Sequence, residues 1–76
     1  MTLEPFLLGL LEDPVDHGPL LYLANDAVLY NPRRRVVYDV RGSIPVLLAD
    51  EARLATDDEH AAYVASPEAR VTGPAT

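Results

Sequence analysis

The side chains best suited to chemistry crowd into a few short stretches of this 76-residue chain. Asp13, Asp16 and His17 bring two carboxylates and an imidazole close together, a spacing that can hold a hard cation weakly. Asp16-His17-Gly18 reads equally well as turn chemistry, because short polar side chains fold back onto the backbone. Arg33-Arg34-Arg35 is the one basic run. Planar guanidinium groups suit phosphate, but the same run reads as a solvated loop, or as a partner for acids in this chain or another. Ser43 can be paired on paper with His17 or His60 and an acid. No nucleophile elbow surrounds it, however, and so short a chain has little room for a water-excluded pocket. Catalysis is not expected, nor is a cofactor.

Composition narrows the reading further. Six basic residues, all arginine, stand against twelve acids for a net charge of −6. That sign disfavours a general nucleic-acid binder, whose affinity comes largely from neutralising phosphate. With no cysteine, disulfides and thiolate metal sites are both closed. A chain of this size buries a small share of its surface and is thinly stabilised. At 49% hydrophobic residues, rich in leucine and valine, it is expected to compensate by dense packing, shared in part with a partner. The apolar stretch from Leu3 to Leu11 carries Glu4 and Pro5 and has no cationic flank, so it fits neither a secretory signal nor a membrane span. A cytoplasmic protein is expected, with no membrane contact.

These residues have to be positioned by a few short elements. Pro5 to Leu11 predicts a short helix, with proline in its first turn, Glu4 at the positive end of the dipole, and Asp13-Pro14 as its stop. Phe6, Leu7, Leu8, Leu10 and Leu11 cover more than one face, so this helix is either wrapped on two sides or partly given to another protein. Leu20–Leu23 and Val28–Tyr30 predict a hairpin around Ala24-Asn25-Asp26-Ala27, with Asn and Asp taking up any positive φ. Val36–Val40 alternates as a third strand. Ile44-Pro45-Val46-Leu47-Leu48 is an apolar run whose proline suits a sheet edge. Thr56-Asp57-Asp58-Glu59 has the form of a capping box and predicts a helix from about Asp57 to Ala65, ended by Ser66-Pro67. His60 falls on its solvent side. Glu68 to Thr76 holds one large apolar residue, Val71, and is expected to be mobile.

Two segments carry a family resemblance. They are Leu7-Leu8-Gly9-Leu10-Leu11-Glu12-Asp13-Pro14-Val15-Asp16-His17-Gly18-Pro19-Leu20 and Tyr38-Asp39-Val40-Arg41-Gly42-Ser43-Ile44-Pro45-Val46-Leu47-Leu48, the latter followed by Asp50-Glu51-Ala52-Arg53. Together they resemble the short bacterial, YcaR-like branch of the zinc-binding tRNA and protein methyltransferase-activator family. Metal-binding members of that family carry a Cys-Pro-x-Cys knuckle where this chain has Asp13-Pro14-Val15-Asp16, and further cysteines near Asn31 and Arg34. The ligand positions Asp13, Asp16, Asn31 and Arg34 are therefore degenerate, and no metal is implied. A structural zinc site contributes roughly 10 to 16 kcal/mol in small peptides. Something else has to close the two loops, and Arg34 is expected to face Asp13 or Asp16.

The resemblance implies an α+β fold: a small zinc-ribbon-like antiparallel sheet of three to four short strands, an N-terminal helix, a short C-terminal helix, and no metal. Residues 1–54 form the domain, 55–66 the helix and 67–76 a flexible tail. The implied role is a non-catalytic interaction module that binds or activates an S-adenosylmethionine-dependent methyltransferase. Phe6, Leu10, Ile44, Pro45 and Val46 are the candidate contact residues. The alternative is a standalone scaffold or regulatory protein, or a homodimer using the same surface.

Overall fold

Alternating apolar residues drive the centre of the chain into strands. The computed structural model describes residues 8–42 and 44–72, and six strands lie among them. β1 (Leu21–Leu23), β2 (Val28–Asn31) and β3 (Val36–Arg41) form a meander. β4 (Ile44–Pro45) pairs with the end of β3, and β5 (Arg53–Leu54) pairs with its beginning. The segment from 44 to 54 therefore follows one edge of β3, leaving it only for the loop that includes the 3₁₀ turn Ala49–Glu51. β6 (Arg70–Val71) adds to the far side of β1, giving the order β4-β3-β2-β1-β6, with every pair antiparallel.

Because side chains on a strand point to alternate faces, the sheet has two apolar sides. Tyr22, Leu29, Val36, Tyr38 and Val40 share one side with Leu8, Leu11 and Leu20, and Leu47 and Ala52 pack against them. Leu23, Val28, Tyr30 and Val37 share the other with Tyr63. That Tyr63 belongs to α1 (Asp57–Ala65), which begins in the expected capping box: Thr56 Oγ1 accepts from the Glu59 N–H at 3.1 Å, and Glu59 Oε1 accepts from the Thr56 N–H at 3.0 Å.

The expected fold is corrected in several respects. Six strands replace three or four, because β5 and β6 are two-residue strands held by β3 and β1, with no sequence period of their own to announce them. Among the described residues α1 is the one helix. The helix expected over Pro5–Leu11 lies partly outside those residues. Its described part, Leu8–Leu11, is a single turn closed by the Leu11 N–H on the Leu8 carbonyl at 3.4 Å. Among the described residues the fold is thus a six-stranded antiparallel sheet with one helix, and not a small ribbon of three or four strands. Arg70–Val71, inside the stretch expected to be mobile, forms β6, fastened where the Leu20 N–H donates to Thr72 Oγ1 (2.9 Å) and the Thr72 N–H donates to the Leu20 carbonyl (2.8 Å).

In the β1–β2 hairpin the positive φ, 53°, falls on Ala27 and not on Asn25 or Asp26. The loop turns through those two residues and needs a left-handed residue to rejoin the ladder. The Ala27 carbonyl accepts from the Val40 N–H at 2.9 Å, so a contact with β3 holds an alanine where glycine would be easier.

Candidate functional site

Two loops repeat each other in sequence and in conformation. Asp13-Pro14-Val15-Asp16-His17 and Asn31-Pro32-Arg33-Arg34-Arg35 each begin with an Asx residue before proline. Asp13 Oδ1 accepts from the N–H groups of Val15 (2.7 Å) and Asp16 (3.1 Å). Asn31 Oδ1 accepts from those of Arg33 (2.9 Å) and Arg34 (3.2 Å). Both loops close on a residue of positive φ, His17 at 58° and Arg35 at 55°. A non-glycine residue adopts that conformation at a cost, and here it follows two side-chain bonds that curl the preceding residues into a tight loop.

The loops face one another across one end of the sheet. Asp13 and Asn31 are completely buried. Asn31 Nδ2 donates to Asp13 Oδ2 at 2.8 Å and to Asp16 Oδ2 at 3.1 Å. Arg34 Nη1 lies 3.2 and 3.3 Å from the two Asp13 oxygens, and Tyr38 Oη donates to Asp13 Oδ2 at 2.9 Å. Arg33 grips Asp16 with Nε (3.0 Å) and Nη2 (3.1 Å). The four positions singled out from the sequence, Asp13, Asp16, Asn31 and Arg34, therefore converge, and Arg34 pairs with Asp13 as expected. Tyr38 and Arg33 complete the cluster. Gly18 makes room for it, since a Cβ there would stand 2.5 Å from Arg33 Nη2.

The electrostatics follow from this donor count. Burial pushes the Asp13 carboxyl up, but hydrogen bonds from Asn31, Val15, Asp16 and Tyr38 outweigh it and hold the group below the ordinary carboxylate value. Arg33, the Gly18 N–H and Asn31 together pull Asp16 far below it. Among the described residues no buried side-chain nitrogen or oxygen lacks a partner. These residues do not fit a metal ion. The amide nitrogen of Asn31 points at the carboxylates, and the guanidinium of Arg34 already supplies a positive charge there. His17 turns away from both aspartates, with Nδ1 2.9 Å from Glu12 Oε1 at the surface.

A second cluster holds α1. Arg53 donates to both oxygens of Glu59 at 3.0 and 2.9 Å, and Tyr63 Oη donates to Glu59 at 3.2 Å. Led by the Arg53 hydrogen bond, these contacts lower the Glu59 pKa to about 2. Arg35 reaches Asp57 at 3.4 Å. All three arginines of the basic run thus pair with acids of this chain, and not as a free solvated loop. His60 is half-buried, with its Nδ1 at the Tyr30 hydroxyl. Ser43 lies outside the described residues.

The apolar candidates divide. Ile44 is 67% exposed, while Pro45 and Val46 are half-buried beside β3. Two residues the sequence did not single out, Leu48 at 60% and Leu54 at 78%, are exposed on the same 44–54 segment. Leu10 is exposed at the other end of the sequence, and Phe6 lies outside the described residues. No described helix is long and apolar enough to cross a membrane.

No family profile matches the chain, but individual proteins do. A UPF0434 protein of Acidovorax sp. is 46% identical over 57 residues, which are 75% of this chain and 95% of that protein. A tetraacyldisaccharide 4'-kinase of Verminephrobacter eiseniae is 47% identical over 57 residues, which make up 13% of the kinase. The solution NMR structure of an uncharacterised BCR protein superposes with a TM-score of 0.63 at 46% identity, covering 74% of this chain and 92% of that one. The extent of the match to nearly the whole of a UPF0434 protein decides the family: the chain belongs to the bacterial UPF0434 family.

Proposed function

We propose that this chain is a non-catalytic protein-interaction module that docks on an enzyme. The observation that carries the reading is the 44–54 segment, where Ile44, Leu48 and Leu54 stand exposed along one sheet edge. Large apolar side chains left exposed on one edge are candidates for an interaction site. Short strands at an edge offer backbone groups for strand addition as well. The polar cluster supports the same reading from the other side, because its carboxylates and arginines are consumed in holding two loops together and have no capacity left to act on a substrate.

The resemblance to methyltransferase activators makes an S-adenosylmethionine-dependent methyltransferase one candidate partner. In that case Asp13, Asp16, Asn31 and Arg34 occupy the ligand positions of the zinc-binding relatives, and a charge-assisted network closes the loops in place of a metal. A second reading has its own support. A segment like this one makes up a small part of a tetraacyldisaccharide 4'-kinase, so the module is compatible with life beside that enzyme. A standalone scaffold or homodimer is the remaining possibility.

Purification of the tagged full chain from its native cells, with mass spectrometry of what is retained, separates the three. Recovery of a methyltransferase supports the first, recovery of the kinase the second, and self-association alone the third. Ile44→Asp combined with Leu54→Asp is expected to abolish retention while leaving the fold intact. Undiminished retention by that variant would remove the edge from consideration.

A further inference from the structure

The stretch from Leu48 to Leu54 sets apolar side chains and free charge side by side. Its 3₁₀ turn, Ala49–Glu51, is closed by the Glu51 N–H on the Leu48 carbonyl at 2.9 Å, and Leu47 and Ala52 on either side pack against the sheet. Held from beneath in this way, the stretch presents Leu48 at 60% exposure, then the exposed Asp50 and Glu51, then Leu54 at 78%, the most exposed large apolar residue among those described. Neither Asp50 nor Glu51 has a side-chain hydrogen bond or an ion pair among the described residues. The chain has no arginine to spare for them. Of its six arginines, Arg33, Arg34, Arg35, Arg41 and Arg53 are each paired with an acid elsewhere, and Arg70 lies in β6 at the opposite edge of the sheet.

We propose that this turn docks on a basic, apolar segment of a partner protein, one that lays aliphatic side chains on Leu48 and Leu54 and brings arginine or lysine to Asp50 and Glu51. The inference rests on the reading of the 44–54 edge as a docking surface and adds the character of what docks there. Charge complementarity argues for it. Apolar contacts flanked by one sign of charge are matched by a partner carrying the other, which speeds encounter and fixes register. The same argument works against a second copy of this chain, which brings another charge of −6 and the same two carboxylates to the contact. Nucleic acid and anionic lipid are repelled for the same reason, since both bind through cationic side chains.

The test titrates the isotope-labelled full chain, followed by NMR, with two capped synthetic peptides, one alternating lysine with leucine and the other glutamate with leucine. The lysine peptide is expected to shift the amides of 48–54, and the glutamate peptide to shift none. Asp50→Asn combined with Glu51→Gln is expected to weaken the lysine peptide at least about fivefold, and raising the salt from about 0.05 to about 0.5 M to weaken it about tenfold. Leu48→Asp combined with Leu54→Asp separates a shaped contact from simple attraction of opposite charges. Added carboxylates strengthen simple attraction, whereas the proposal expects binding to be lost. All four positions are exposed, so both variants are expected to keep the fold. Shifts spread over other exposed acids such as Asp26 and Asp58, tighter binding by the double aspartate variant, or no binding of the lysine peptide overturns the proposal. So does an enzyme retained from native cells that is lost with Ile44→Asp and Leu54→Asp but kept with Asp50→Asn and Glu51→Gln, a result that leaves the docking edge itself standing.

Discussion

The same three chemical groups meet twice in this protein, with opposite consequences. At the paired loops Arg34, Asp13 and Tyr38 form a triangle, with Tyr38 Oη also accepting from Arg34 at 3.2 Å. At α1 Arg53, Glu59 and Tyr63 form another. The first carboxylate is completely buried and is further held by Asn31 and two backbone N–H groups. The second is partly open to water and belongs to a helix that buries one residue. An ion pair removed from solvent is costly to break, because each survivor is left without a partner, whereas an exposed pair is replaced by water at little loss. The first triangle therefore behaves as a cornerstone and the second as a clasp.

Asp13→Ala tests the cornerstone most severely. It strands Tyr38 Oη and two backbone N–H groups, takes one of two acceptors from each of Asn31 Nδ2 and Arg34, and is expected to cost about 3 to 5 kcal/mol. That is enough to leave so small a domain largely unfolded at room temperature. A urea midpoint within error of the wild type would make the two triangles equivalent and undo the comparison.

Acid is the next test. Asp13, Asp16 and Glu59 all have folded-state pKa values below their ordinary ones. For such groups the unfolded chain binds protons first, so their contribution is fully present above about pH 4 and is lost as the pH falls toward the folded values, near 2 for Glu59. Denaturation midpoints measured from pH 6 down to pH 2 are expected to fall steeply below pH 4. Asp13→Asn and Glu59→Gln are each expected to make that fall shallower, because each removes one of the carboxylates that must be protonated.

Smaller effects sharpen the contrast. Tyr38→Phe removes one buried hydrogen bond to Asp13 and is expected to cost about 1 kcal/mol in a denaturant titration. Thr56→Ala removes the N-cap of α1, worth about 1 kcal/mol of helix stability. Its effect should appear as faster amide exchange in 57–65, with little change in the global midpoint. Arg53→Met, the counterpart of an Arg34 substitution, is expected to leave the melting temperature nearly unchanged.

How much of this was legible beforehand varied with the kind of signal. The capping box at Thr56 and the meander strands were readable because their patterns are local: two residues three apart, or apolar side chains at every second position. The convergence of Asp13, Asp16, Asn31 and Arg34 was reached through resemblance. A plainer sign was available, since Asx-Pro occurs twice and each is followed four residues later by the residue that turns left-handed. Arg33 was named only within the basic run and Tyr38 only as a strand residue, because nothing in their neighbourhood marks them as partners of Asp16 and Asp13, which come from a loop far back in the chain. β5 and β6 were missed for the same reason, each being two residues long and existing only by pairing with a strand from elsewhere.

By itself the sequence determined the antiparallel meander, the capped helix, the absence of thiol chemistry and the acidic balance, because each depends on neighbouring residues or on composition alone. Only the tertiary structure decided which arginine meets which acid, which carboxylate is buried, and that Ile44, Leu48 and Leu54 share an exposed edge. Those outcomes depend on contacts between distant segments, and burial, which sets the strength of every charge pair here, is a property of the assembled fold and not of any residue in it.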